Sequence, residues 1–172
     1  MQPPDERGPG TNAIPDAEAL ERALRFVDYR PRSAGETTSR LCRWGYDART
    51  CQEVTAYLEE AGIIDDREFA RLFMGELIRK GLGRYRVRSE LIKKKLEREL
   101  VEEVMEGYPE DEEVERAADA AVRRYYQMGL RDAAADKKVM DHLRRKGFSR
   151  QVAGAACRMA AQVDTQSGPE LE

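Results

Sequence analysis

A six-residue pattern that occurs three times constrains the fold of this 172-residue chain more than any other feature. The copies lie at residues 41–46 (LCRWGY), 91–96 (LIKKKL) and 143–148 (LRRKGF), so their offsets are 50 and 52 residues. Each copy has a leucine, a basic residue two positions later and a large apolar residue five positions later. Apolar residues on both sides of a short turn hold two helices together, so the pattern predicts a helix-turn-helix unit repeated in a helical array.

Helix start and stop signals divide the rest of the chain into short helices. Side chains that cap helix N-termini precede the predicted helices at Asp16, Ser33, Asp47, Asp65 and Ser149. Pro31 ends the first predicted helix and Gly45 ends the second. No segment combines alternating apolar residues with β-branched enrichment, so we expect an all-α fold without a sheet.

These signals predict three tandem three-helix repeats, at residues 16–64, 65–109 and 110–163. Residues 1–15 contain four prolines and two glycines, and we expect them to form a disordered tail. We expect a second disordered tail at residues 164–172.

Composition and charge exclude several classes of protein. The net charge is −3 and the pI is about 5.5, so any nucleic-acid contact must come from a local basic patch. The chain has no apolar run long enough to span a membrane and no N-terminal targeting pattern, which indicates a cytoplasmic protein. Three cysteines without a CxxC pair argue against a disulfide framework or a zinc site.

The middle of the chain has two adjacent blocks of opposite charge. Residues 79–98 contain nine basic and two acidic residues, whereas residues 99–116 contain nine acidic residues and one basic residue. One interpretation is a basic face that meets phosphates or an acidic protein surface. The other is two solvated helix faces that pair with each other. On the first interpretation, together with a smaller basic patch in the third repeat, the candidate partner-binding residues are Arg79, Lys80, Arg84, Arg86, Arg88, Lys93, Lys94, Arg144, Arg145 and Lys146.

Two further features bear on this face. The sequence Gly81-Leu82-Gly83 beside Arg84 would let the backbone of a partner approach closely, since glycine has no side chain. Tyr85, Tyr125 and Tyr126 could stack on bases, although packing in or near the core is the more common use of such residues.

The order and spacing of several segments resemble the RecX family of bacterial regulatory proteins, which control the recombinase RecA. The segments are 30–33 (RPRS), 41–46 (LCRWGY), 63–70 (IIDDREFA), 80–84 (KGLGR) and 143–148 (LRRKGF), within about residues 18–160. The resemblance implies tandem three-helix repeats in an elongated, curved molecule. This sequence departs from the pattern at Lys95, where the flanking repeats have Gly45 and Gly147.

The resemblance also implies a partner and a role. The partner would be the RecA filament on single-stranded DNA, with the DNA itself reached through the basic face, and the protein would be a monomer. The expected role is inhibition of RecA ATP hydrolysis and strand exchange in DNA repair, recombination and the SOS response. The alternatives are a nucleic-acid-binding module of helix-turn-helix type and a helical protein–protein adaptor.

The sequence gives little support for an enzyme. His142 is the only histidine, and no Ser or Cys nucleophile lies near it in sequence. Asp65 and Asp66 are explained by helix capping, and Gly81-x-Gly83 lacks the context of a nucleotide site. We therefore expect no catalytic residues, no metal and no cofactor.

Overall fold

The computed structural model describes residues 15–129 and 132–166, and within these ranges the chain forms α-helices and no strands, which confirms the all-α prediction. Its described helices are α1 (Ala17–Tyr29), α2 (Ala34–Arg43), α3 (Ala48–Glu60), α4 (Asp66–Arg79), α5 (Arg84–Lys93), α6 (Arg98–Glu106), α7 (Glu113–Met128), α8 (Ala133–Arg145) and α9 (Arg150–Gln166). The predicted tails lie mostly outside the described residues. The exceptions are Pro15, which is buried, and residues 164–166, which belong to α9.

The helices form three consecutive sets of three, and each set has a hydrophobic core of its own. We call α1–α3, α4–α6 and α7–α9 the first, second and third repeats. The leucine of the sequence pattern lies at the centre of each core, because Leu41, Leu91 and Leu143 are all completely buried. The chain divides into two compact units: one ends at Asp66, and the other begins at Arg67 and contains the second and third cores.

Among the five side chains predicted to cap helices, Asp16, Ser33, Asp47 and Ser149 do so in the structure. Asp16 accepts a hydrogen bond from the backbone N–H of Ala19 at 2.8 Å. Ser33 caps α2 through the N–H of Glu36 at 3.0 Å, as a capping box requires. After α1, Arg30 is extended (φ −163°, ψ 155°), as expected for a residue before proline.

The turn between the second and third helices is the same in all three repeats. Gly45 and Gly147 have φ values of 99° and 90°, in the left-handed region. Lys95 occupies the equivalent position with φ 58°. The departure from glycine in the second repeat therefore leaves the left-handed turn in place and adds backbone strain to it.

Candidate functional site

Most of the basic side chains on α5 are paired with carboxylates in the structure. Arg88 contacts Glu102 on α6, and Arg84 contacts Glu110 in the segment before α7. Within α5, Glu90 accepts from Arg86 at 2.8 Å and from Lys93 at 3.0 Å. The two charge blocks of the sequence thus meet each other, at least in part.

The pKa shifts follow from these contacts. Hydrogen bonding to Arg88 holds the pKa of Glu102 below its usual value. Hydrogen bonding to Lys93 likewise lowers the pKa of Glu90. Water reaches the cation of each pair and screens the attraction, so a polyanionic partner could compete for the cations.

The glycine at 83 allows a close backbone approach, but the backbone that approaches belongs to the same chain. The N–H of Gly83 donates to the Lys146 carbonyl at 2.9 Å, and the N–H of Tyr85 donates to the Gly147 carbonyl at 3.1 Å. A Cβ atom on Gly83 would lie 2.6 Å from the backbone of Gly147 and Phe148. The third repeat therefore occupies the space that the sequence suggested for a partner.

Two predicted partner-binding residues also contribute to this junction. The backbone N–H of Arg84 donates to the buried carboxylate of Glu113 at 2.8 Å, and Glu113 accepts a second hydrogen bond from the Tyr108 hydroxyl at 3.0 Å. The Lys146 ammonium donates to the Gly81 carbonyl at 3.3 Å. Arg84 and Lys146 thus help to hold the second and third repeats together.

The other residues predicted to bind a partner lie in different environments. Arg144 and Arg145 are exposed at the end of α8. The Lys94 ammonium lies 4.9 Å from the centre of the Phe73 ring, a cation–π distance. Arg79 and Lys80 line a cavity that also contains residues absent from the sequence-based prediction.

This cavity, of about 280 Å³, lies in the second unit between the end of α4, one face of α7 and the end of α8. We call it the basic cavity. Its lining residues are Arg79, Lys80, Gly81, Arg116, Ala120, Arg123, Arg124, Gln127, His142 and Lys146. The α7 residues among them follow a helical spacing in the sequence, but nothing local in the sequence shows that this face of α7 meets Arg79 and Lys146.

His142 is half-buried in this positive environment. Burial lowers the pKa of its imidazole, and Lys146, Arg124 and Arg145 lower it further by repelling the charged form.

Sequence reasoning also missed an arginine–aromatic cluster in the first unit. Arg22 lies 4.7 Å from the centre of the Trp44 ring, and Arg40 lies 4.9 Å from the same ring. Arg32 lies 4.2 Å from the Phe26 ring, which meets Trp44 edge-on. Cation–π packing of this kind stabilises the first repeat, and the contacts of Trp44 in this cluster lie within that repeat.

The three tyrosines considered for base stacking differ in exposure. Tyr125 is buried and its hydroxyl donates to Asp136 at 2.6 Å, so it belongs to the third core. Tyr85 and Tyr126 are 65% and 89% exposed, which leaves both rings available for contact with a partner.

The other candidate chemistries have little structural basis. Across residues 15–129 and 132–166, no three His, Cys, Asp or Glu side chains are grouped as a metal site would require. Asp66 accepts from the backbone N–H of Ala34 at 2.8 Å. Over the same part of the chain, no helix combines the length and the apolar character needed to cross a membrane.

Comparison with known proteins identifies the family. The family model described as the first three-helix domain of RecX matches residues 19–58, and the model of the second three-helix domain matches residues 65–105. The regulatory protein RecX of Stenotrophomonas maltophilia (strain R551-3) is 33% identical over 145 residues, which is 84% of this chain and 86% of that protein. The regulatory protein RecX of Halorhodospira halophila is 30% identical over 168 residues, or 95% and 98% of the two chains.

A solved structure agrees at the level of the fold. The crystal structure of RecX from Lactobacillus salivarius has a TM-score of 0.75 to this chain at 18% identity, and covers 85% of this chain and 96% of its own. The two family models match the helices of the first and second repeats, and the aligned relatives cover most of the chain. The chain therefore belongs to the RecX family of regulatory proteins.

Proposed function

We propose that this chain regulates the recombinase RecA by binding the filament that RecA forms on single-stranded DNA. In this proposal it is a cytoplasmic monomer without catalytic groups of its own, and it lowers ATP hydrolysis and strand exchange by the filament. Its role would belong to DNA repair, recombination and the SOS response. Membership of the RecX family is the observation that carries the proposal.

The distribution of charge supports a protein–DNA filament, and not naked DNA, as the target. The net charge is −3, and carboxylates of the same chain already pair with most of the α5 cations. Affinity for naked DNA grows with the number of phosphates that a protein neutralises, so few free cations mean weak binding. A filament offers protein contacts in addition to phosphates.

The helix-turn-helix alternative has an electrostatic difficulty in the second repeat. There, the helix after the turn is α6, the position that reads DNA in such modules. The glutamates on α6 are exposed, at Glu99, Glu102, Glu103 and Glu106. A helix with this surface would be repelled by phosphates, so we favour the filament as the target.

A titration of filament ATP hydrolysis tests the proposal. RecA on single-stranded DNA is mixed with increasing amounts of this protein, and steady-state ATP hydrolysis and strand exchange are measured. We expect both to fall when the protein is substoichiometric to RecA. Unchanged ATP hydrolysis and strand exchange over a wide concentration range would contradict the proposal.

An electrophoretic shift with single-stranded DNA alone separates the alternatives. The proposal predicts weak binding to naked DNA that is lost steeply as salt is added. Tight binding to DNA without RecA, with no effect on the ATPase, would instead identify a nucleic-acid-binding module. An adaptor for another protein would change neither measurement.

A further inference from the structure

We propose that the basic cavity binds one phosphate group of a single nucleic-acid strand. This inference rests on the proposed function, because it names the part of the filament that the second and third repeats contact. It places the main phosphate contact between α4, α7 and α8, away from the α5 face that the sequence suggested.

The lining of the cavity is strongly positive. Six of its side chains are basic, from Arg79, Lys80, Arg116, Arg123, Arg124 and Lys146. The other polar side chains are those of Gln127 and His142, and none of the described residues in the lining is acidic. All four cations of α5 pair with glutamates. Among the six in the cavity, the described residues provide a carboxylate for three: Glu76 for Lys80, Glu112 for Arg116 and Asp119 for Arg123. Oxyanions are the ligands that such a set of donors binds.

Several of these cations lack a counter-charge. Within the described part of the chain, Arg79, Arg124 and Lys146 form no ion pair with a carboxylate. Arg124 donates only a long hydrogen bond of 3.4 Å to Gln127, and its Nε atom is buried without an acceptor. The buried Nε of Arg116 also has no acceptor. Buried donors without acceptors are costly, and a bound oxyanion would satisfy them.

Helix ends do not account for the whole cluster. Arg79, His142 and Lys146 lie at the C-terminal ends of α4 and α8, where a positive charge is favourable to the helix dipole. Arg123 and Arg124 lie in the interior of α7, and Arg116 lies near its N-terminus, where a positive charge is unfavourable. Arg116 and Arg123 pair with Glu112 and Asp119 one helical turn earlier. Arg124 has neither a helix end nor a carboxylate partner among the described residues to account for its position, and an anionic ligand would supply one.

The size of the cavity limits what it can hold. Its volume of about 280 Å³ lies just below the range of about 300–1,000 Å³ typical of pockets that enclose small molecules. It admits a phosphate group more readily than a whole nucleotide. Arg145 is exposed and close enough to influence His142, so it can contact the next phosphate of a strand that passes the cavity.

His142 provides a direct reporter, because it is the only histidine of the chain and its imidazole signals in an NMR spectrum are unambiguous. The protein is titrated separately with oligodeoxythymidylate, with inorganic phosphate at equal phosphate concentration and with oligoglutamate of equal charge. We expect the oligonucleotide to shift the His142 signals at the lowest concentration. Bound phosphate should also raise the pKa of His142, because a nearby negative charge favours the imidazolium.

Substitutions locate the contact. Arg124→Gln and Arg79→Gln should each weaken oligonucleotide binding about tenfold, the effect of losing one charge-assisted hydrogen bond. Arg71→Gln is the matched control, because Arg71 is exposed on α4, does not line the cavity and should leave binding unchanged. Arg79 is exposed, so its variant tests the site even if Arg124→Gln fails to fold.

Three results of the NMR titration would overturn the proposal. The first is a His142 signal that does not move at saturating oligonucleotide. The second is an equal response to inorganic phosphate, which would identify a site for free anions, and the third is an equal response to oligoglutamate, which would identify an acidic protein partner. If wild-type protein inhibits RecA while the Arg124 and Arg79 variants inhibit equally well, the cavity proposal fails and the proposed function stands. If the oligonucleotide shifts the His142 signals but the protein has no effect on RecA, the cavity proposal stands and the proposed function fails.

Discussion

At the residue scale, Lys95 shows how far the repeat tolerates variation. It adopts a φ of 58° at a turn where the other repeats use glycine. A residue with a Cβ atom pays about 1–2 kcal/mol for this conformation. The core around Leu91 and Leu96, both buried, supplies the packing that holds the turn in place.

Replacing Lys95 with glycine should therefore stabilise the protein. The strain removed exceeds the extra freedom of glycine in the unfolded chain, so we expect the free energy of unfolding to rise by about 0.5–1 kcal/mol in urea denaturation. The control is Gly45→Ala, where φ is 99° and no described residue lies within 4 Å of the added Cβ. The free energy of unfolding of this variant should fall by about 1 kcal/mol, because of backbone strain alone. A lower stability of Lys95→Gly would show that contacts of the lysine side chain outweigh the strain.

A second prediction at this scale concerns pH and His142. Its pKa in the folded protein is lowered from 6.5, so the unfolded chain takes up a proton at a higher pH than the folded protein does. Stability is therefore fully present above about pH 6.5 and falls as the pH decreases through the lowered pKa. Urea denaturation at pH 7.5 and 5.5, without phosphate in the buffer, should show a larger loss for the wild type than for His142→Gln. Equal losses would mean that His142 titrates in the same way in both states.

At the element scale, α5 depends on the third repeat for its N-terminus. Gly83 at the N-cap offers no side chain, so the first N–H groups need other acceptors. The N–H groups of Gly83, Arg84 and Tyr85 donate to Lys146, Glu113 and Gly147, all in the third repeat or the turn within it. The two repeats thus share a helix cap, which couples their folding.

Gly83→Ala should disrupt this junction. The new Cβ would lie 2.6 Å from the backbone of Gly147 and Phe148, while the φ of −83° at this position suits alanine. The steric clash should therefore lower the free energy of unfolding by about 1–3 kcal/mol, as measured by urea denaturation. Amide hydrogen exchange at residues 83–85 should become faster.

Gly75→Ala is the matched control for this variant. Gly75 lies inside α4, and its Cβ would make an ordinary 3.6 Å contact with Arg79. Alanine should stabilise the protein there by about 0.5–1 kcal/mol. Unchanged stability of Gly83→Ala would contradict the close approach of the two repeats.

At the scale of the whole molecule, this acidic protein leaves only some of its cations available to a partner. Pairing with glutamates uses most of those on α5, whereas Arg144 and Arg145 are exposed and form no ion pair within the described residues. We therefore expect these two arginines and the basic cavity to make the salt-dependent contacts with the RecA filament.

The double variant Arg144→Gln/Arg145→Gln should weaken binding to the RecA filament and make it less sensitive to salt. Each lost phosphate contact reduces the slope of log affinity against log salt by about 0.7, so the double variant should lose up to about 1.4. Fluorescence anisotropy on labelled filaments between low and physiological salt measures this slope.

The control for that experiment is Arg25→Gln/Arg49→Gln, which removes the same charge from two exposed arginines of the first repeat. We expect its slope to match that of the wild type. Equal slopes for all three proteins would exclude Arg144 and Arg145 from the phosphate contacts.

The sequence by itself determined the features that depend on neighbouring residues. Helix caps such as Ser33 and the left-handed turns at Gly45 and Gly147 were predictable because their hydrogen bonds and backbone angles are local. The turn at Lys95 was not, because the sequence there lacks the glycine that marks such a turn. The buried leucines followed from the repeat, and the family followed from the order of its motifs.

Only the tertiary structure decided which charged side chains are available to a partner and why glycine is needed at position 83. The Arg84 guanidinium pairs with Glu110 across 26 residues of sequence, and the Lys146 ammonium donates to the Gly81 carbonyl across 65. Such contacts depend on how whole helices pack, and a list of charges along the chain does not contain that information. For the same reason, the basic cavity, which combines residues from α4, α7 and α8, became visible only in three dimensions.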